Sequence, residues 1–222
     1  MVAFPGCRCG ASMAGRAPGG GAEQRVAEPD LAAFAGGFGR RFLLIGHGAS
    51  GLFQEPARAV ADTLEVLRPD IEAAEGPVLV MFGGDPARDA RPDLGVLVRD
   101  VKLALHPRVR VLAVQYWPEV DDHVDYLLQF QQAERDFKPD GRPFYGGTAD
   151  DGRPVAASRF YLGDDVLPLL DRVVCVGGGP ISLAEFRYAV SKGVPHTYIR
   201  ARSVHRGWGP VDEWWGNSTS SS

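Results

Sequence analysis

Apolar residues occur along this chain in two forms: short unbroken runs, and stretches in which they return every three or four positions. The runs Phe42–Ile45, Val78–Phe82, Val109–Val114 and Val173–Val176 are rich in branched side chains and bounded by glycine, proline or charge. Strands covered on both faces read this way. The helical period marks Gln54–Leu67, with Ala59, Val60, Thr63, Leu64 and Leu67 on one face. It marks a second helix that starts at a cap by Asp93 and carries Leu94, Leu97, Val98, Val101 and Leu105 until His106-Pro107 ends it. A third runs over Ser182–Lys192, with Leu183, Phe186, Ala189 and Val190 on one face, and is closed by Gly193 and Pro195 before a last strand at His196–Arg200. The same period predicts a helix opening at Trp117-Pro118, with Val120, Val124, Leu127 and Leu128 inward. Lys138–Gly141 reads as a turn, residues 144–152 as a glycine-rich loop or hairpin, and Val155–Leu162 and Asp164–Leu170 as helical.

Strands alternating with helices over short connections predict an α/β fold, Rossmann-like and doubly wound, with a mainly parallel sheet and helices on both faces. Residues 39–205 form this one domain. Residues 1–38, rich in Gly and Ala, are expected to be a disordered tail, and residues 206–222 a tail that ends in a disordered Ser/Thr run. Trp208, Trp214 and Trp215 in that second tail favour packing on the domain or on a second copy, so a homodimer is a candidate assembly.

Charge and composition narrow the partners. A net charge of −4 argues against a dedicated nucleic-acid binder. No apolar run reaches the roughly 18 residues of a membrane span, so no membrane partner is expected. Three cysteines make no disulfide framework. A reducing compartment, the cytoplasm, is expected. Because the first acidic residue is Glu23, while Arg8 and Arg16 precede it, an organellar transit segment is the alternative.

Glycines follow three of the strands: Gly46, Gly48 and Gly51; Gly83 and Gly84; and Gly177, Gly178 and Gly179. In a parallel sheet these ends converge on one cleft beyond the carboxyl edge. A glycine turn leading into a helix N-terminus is a natural anion site, since unpaired N–H groups and the helix dipole face one point. A nucleotide phosphate at Gly177–Ser182 is one reading. Pure architecture is the other, because Ser182 and Glu185 have the spacing of a capping box. Gly46-His47-Gly48-Ala49-Ser50-Gly51 matches G-x-G-x-x-G, yet the acidic residue due about twenty residues later is missing, since the next strand ends only at Asp85. Asp121, Asp122, His123 and Asp125 read as a solvated helix start, with a metal site as the lesser alternative. A Gly178→Val chain is expected to fold and to lose its ligand.

The stretch Gly177-Gly178-Gly179-Pro180-Ile181-Ser182-Leu183-Ala184-Glu185 resembles the P-G-G-x-G-T-x-x-E motif of the Lonely Guy (LOG) enzymes. These belong to the SLOG superfamily, together with the nucleotide-sensing domains of TRPM channels. Two glycines, a hydroxyl residue and the glutamate match, while Gly177 replaces the proline and Ile181 the third glycine. The upstream order, from Phe82-Gly83-Gly84 through a helix to Val114, is similar too, so the likeness spans roughly residues 41–200. It implies a nucleotide as ligand or substrate and no further cofactor. As a sensor, the domain would bind a nucleoside monophosphate, NAD or an ADP-ribose-like molecule. As a phosphoribohydrolase, it would cleave the N-glycosidic bond of a nucleoside 5′-monophosphate, with Glu185 acting at the sugar and Arg159 holding phosphate or ribose. The opening LLIGHG also resembles the small cobalt and sirohydrochlorin chelatases, whose histidine there binds metal, but no second matching histidine motif follows His47.

Overall fold

The computed structural model describes residues 24–27, 30–46, 51–83, 93–115, 120–129, 147–148, 154–155, 166–205 and 209–210. In chain order these form β1 (Gln24–Val26), α1 (Leu31–Ala35), β2 (Arg40–Gly46), β3 (Gly51–Phe53), α2 (Pro56–Ala73), β4 (Val78–Gly83), α3 (Leu94–Leu105) and β5 (Val109–Gln115). There follow β6 (Tyr126–Gln129), β7 (Gly147–Thr148), β8 (Pro154–Val155), a 3-10 turn at Leu167–Leu169, β9 (Arg172–Val176), α4 (Pro180–Ser191), β10 (His196–Ile199), β11 (Ser203–His205) and β12 (Gly209–Pro210).

Seven strands make one sheet in the order β1-β6-β5-β4-β2-β9-β10, and every pairing in it is parallel. Alternate side chains enter two separate cores. Phe42, Leu44, Val78, Val80, Phe82, Val109, Val111, Val174 and Val176 meet α2 and α3 on one face. Leu43, Ile45, Leu79, Met81, Leu112, Val114, Val173 and Cys175 meet α1 and α4 on the other. That two-sided burial is why these strands are apolar throughout instead of alternating with polar residues. This is the doubly wound, Rossmann-like α/β arrangement.

Several elements differ from the sequence expectation, each for a physical reason. Where a helix was expected, residues 120–125 turn and residues 126–129 form β6. Leu127 enters one core and Leu128 the other, so a buried two-faced strand imitated one face of a helix. Helix α2 continues through Pro69 to Ala73 because Leu67 and Ile71 keep its buried face going; burial outweighs the hydrogen bond that proline removes. Part of the expected tail belongs to the fold, since β1 pairs with β6 and α1 buries Leu31 and Ala35. Phe34 of α1 stacks edge-on against Tyr126 of β6 at 4.8 Å, and aromatic pairs of this kind hold an edge that a three-residue strand alone would not. Residues 147–148 and 154–155 pair as a hairpin, so Val155 lies in a strand, and a 3-10 turn at Leu167–Leu169 stands where a short helix was expected. Residues 1–23 and 211–222, Trp117-Pro118 and residues 156–165 lie outside the described residues.

At the amino edge of the sheet, Asp171 ties the start of β9 to β2. Its carboxylate accepts hydrogen bonds from the Arg41 backbone N–H at 2.8 Å, from Arg41 Nε at 3.0 Å and from Arg40 Nη1 at 3.3 Å. Burial pushes the Asp171 carboxyl upward, but the hydrogen bonds from Arg41, the Arg41 charge and the Arg40 contact prevail and hold it below the usual carboxylate value. A carboxyl depressed in the folded state contributes stability above its unfolded pKa and loses it as the pH falls through the folded value. Asp171→Asn should therefore lower stability at neutral pH by about 0.5–1.5 kcal/mol, since solvent screens part of the tie. It should also flatten the acid limb of a Tm-versus-pH curve below about pH 4, with little change in slope above it.

Candidate functional site

The chain reverses its winding direction between β2 and β9. From β2 it proceeds to β4, β5 and β6 on one side, and it returns to β9 and β10 on the other. Right-handed crossovers then place α2 and α3 on one face and α4 on the other, and sheets of this kind have their ligand crevice beyond the carboxyl ends of the strands at such a reversal, here β2 and β9. The pairing of Gly46 with Val176 marks that point.

Main chain approaches closely at this point. A Cβ on Gly46 would lie 3.1 Å from both Val176 O and Leu94 Cδ1. Gly177 and Gly178 adopt φ of +56° and +108°, a region that glycine enters freely and other residues avoid. A Cβ on Gly177 would lie 2.8 Å from Ala201 O, and one on Gly178 would lie 2.5 Å from Ser182 Cβ. The turn is thus wedged between the segment that leaves β10 and the first turn of α4.

Helix α4 begins at Pro180, with Gly179, which has no side chain to cap with, as its N-cap. Proline suits that first position because its φ is preset and its missing N–H would have no intrahelical partner. Ser182 is therefore already inside the helix, and its hydroxyl donates to the carbonyl of Gly46 at 2.8 Å instead of capping. The capping-box reading of Ser182 and Glu185 does not describe this helix. Ile181 lies inside α4 as well, so the turn is completed before the position at which a third glycine was missed.

Glu185 is 4% exposed, one helical turn beyond Ser182. It has interaction partners and stands near enough to Cys175 for its charge to act on the thiol. Burial, reinforced by Glu185, pushes the Cys175 thiol well above its ordinary range. Its Sγ faces Gly177 O at 3.4 Å. A wholly buried thiol kept protonated is a packing group and not a nucleophile.

Of the residues singled out from sequence, Gly46, Gly177, Gly178, Gly179, Ser182 and Glu185 meet at this point, and Gly83 ends β4 beside them, one residue past the partner of Leu44. Gly51 does not open a helix. It begins β3, which pairs with β11 in a small antiparallel sheet, and α2 starts only at Pro56. The G-x-G-x-x-G stretch thus lacks the glycine-to-helix geometry of a dinucleotide fingerprint. His47, Gly48, Gly84 and Arg159 lie outside the described residues. Sequence reading passed over Gln115, a buried polar residue that closes β5, and Ser203, buried where β11 begins. Gln115 alone carries a signal, a polar residue closing an apolar strand.

The acidic cluster at 121–125 is a structural lock. Asp125 Oδ2 lies 2.8 Å from Lys102 Nζ and accepts the Val111 N–H at 2.8 Å, while Lys102 also donates to His123 O at 2.7 Å. Among the described residues no group of three or more His, Cys, Asp or Glu is arranged to hold a metal ion. The ring of His123 lies 6.0 Å from that of Phe82, and its buried Nε2 has no hydrogen-bond partner among the described residues. Burial lowers the His123 pKa; Asp121 opposes this, and Lys102 and Arg99 add to it.

No protein-family model and no curated protein matches the chain. Among solved structures it is similar to TM1055, a target of the Northeast Structural Genomics Consortium, at 16% sequence identity and a TM-score of 0.42, over 71% of this chain and 72% of that one. A likeness of that size adds nothing to the geometry above.

Two predictions follow from these contacts. The expectation that Gly178→Val keeps the fold fails, since φ and the contact with Ser182 both forbid a side chain there. Gly76 supplies the control: its φ is +105°, with nothing within 4 Å of its virtual Cβ. Gly76→Ala should cost about 1–3 kcal/mol of backbone strain, and Gly178→Ala clearly more, when both are measured by denaturant unfolding. The second concerns His123. Unfolded chain takes up a proton near pH 6.5 while the folded imidazole resists to lower pH, so stability falls as the pH drops below that value. His123→Phe should make Tm less sensitive to pH between 7 and 5, on the order of one unit either side of the free imidazole value.

Proposed function

We propose that the crevice between β2 and β9 binds the phosphate of a small nucleotide, and that the protein is a nucleotide-binding sensor or regulatory domain. A nucleoside monophosphate, NAD or an ADP-ribose-like molecule is the expected ligand. One observation carries the reading: a left-handed glycine turn leads into a helix whose N-cap is itself a glycine, at the switch point of a parallel sheet. First-turn N–H groups and the helix dipole there favour an anion. The likeness of Gly177–Glu185 to the motif of the LOG enzymes supports the same ligand class.

A second reading, hydrolysis of the N-glycosidic bond of a nucleoside 5′-monophosphate, draws on Glu185. Glu185 is 4% exposed, one helical turn into α4 from Ser182, and a partly desolvated carboxylate is what general acid–base work or stabilisation of an oxocarbenium-like sugar needs. The test is mass spectrometry of the purified protein incubated with AMP, other nucleoside monophosphates, NAD and ADP-ribose, reading retained ligand and products together. An intact retained nucleotide supports the sensor. Free base with ribose 5-phosphate supports the hydrolase, and Glu185→Gln should then reduce turnover by about a hundredfold or more while binding persists. Failure to retain or convert any of these compounds would overturn both readings.

A further inference from the structure

We infer that Ser182 is the positioning residue of this crevice: its hydroxyl latches the first turn of α4 onto the end of β2 and so sets where the helix N-terminus points. This rests on the reading of the crevice as an anion site. Backbone pairing between β2 and β9 ends at Gly46 and Val176. Beyond that step β9 runs into the Gly177–Gly179 turn and then into α4. The hydrogen bond from Ser182 Oγ to Gly46 O, at 2.8 Å, joins residues 136 apart in sequence. On its other side Ser182 Cβ abuts the Gly178 turn, leaving no room for a Cβ on that glycine. One side chain thus touches both walls of the switch point, and it is 5% exposed.

The geometry also fixes what this hydroxyl does not do. Its proton is directed to a main-chain carbonyl, so it is not offered to an anion; Gly177 N–H already donates to Ile199 O at 2.9 Å, and a bound phosphate would take its hydrogen bonds from N–H groups at the start of α4. Ser182 therefore acts through the orientation of those amides. Removing it loosens the turn while leaving every main-chain donor in place.

The experiment compares the unaltered protein with Ser182→Ala and Ser182→Thr. It reads hydrogen exchange by mass spectrometry and the affinities for AMP and inorganic phosphate by calorimetry. For Ser182→Ala we expect exchange in residues 178–185 to accelerate while β4 and β5 stay protected. AMP and phosphate should each bind roughly fivefold to tenfold more weakly. Ser182→Thr, which keeps the donor, should restore both. Weaker binding with unchanged exchange would mean direct contact with the ligand, and faster exchange with unchanged affinity would mean a merely structural bond; either result overturns the positioning role. If the unaltered protein bound neither probe, the anion reading itself would fall. Unchanged exchange in Ser182→Ala would then dispose of the latch as well, whereas faster exchange would keep the latch and discard only its ligand.

Discussion

Burial of the central strands on both faces is the constraint from which the rest of the structure follows. Phe42 and Leu44 of β2 point into one core while Leu43 and Ile45 point into the other, and β4, β5 and β9 repeat the pattern. A sheet of this kind is unstable unless helices cover both sides, since each exposed Leu, Val or Phe would forgo about 1.5–3 kcal/mol. Covering both sides with crossovers of one hand obliges the chain to reverse its direction along the sheet. That reversal creates a crevice at β2 and β9, so the location of the candidate site is a by-product of how the core is covered.

Within the crevice, close backbone approach governs which residues are tolerated. Gly177 and Gly178 leave no room for side chains and hold φ values open chiefly to glycine, while a side chain at Gly46 would have to push its neighbours aside. Ser182 and Glu185 of α4 are nonetheless buried. Both have partners, Ser182 in the carbonyl of Gly46, which offset the cost of taking them out of water. The contrast between the carboxyl edge and the opposite one is informative. At the amino edge, Asp171 and two arginines form a part-exposed tie between β2 and β9, an arrangement that stabilises without enclosing anything.

Much of this was legible in the sequence, for reasons that also explain what was not. The strands at Phe42, Val78, Val109 and Val173 declared themselves because continuous branched apolar runs have few other uses. Asp93 was read as a helix cap, and its side chain accepts the Val96 N–H at 3.1 Å. Strand β6 was hidden because Leu127 and Leu128 satisfy two burial periods at once. The G-x-G-x-x-G stretch misled because its spacing says nothing of the β3–β11 pairing that separates Gly51 from α2. The bond between Ser182 and Gly46 lay beyond local reading altogether, since its register is set by the β2–β9 pairing and not by any neighbouring residue.

The order of the strands has a consequence for synthesis. Gly46 leaves the ribosome long before Val176, and β1 long before its partner β6, so strand β2 must wait through most of translation for one of its two neighbours. Until β9 arrives, one edge of β2 stays unpaired, and such edges invite association with other chains. The crevice therefore exists only in a chain translated past α4. A nascent fragment carries the glycines of its first wall, yet has nothing opposite them to bind with.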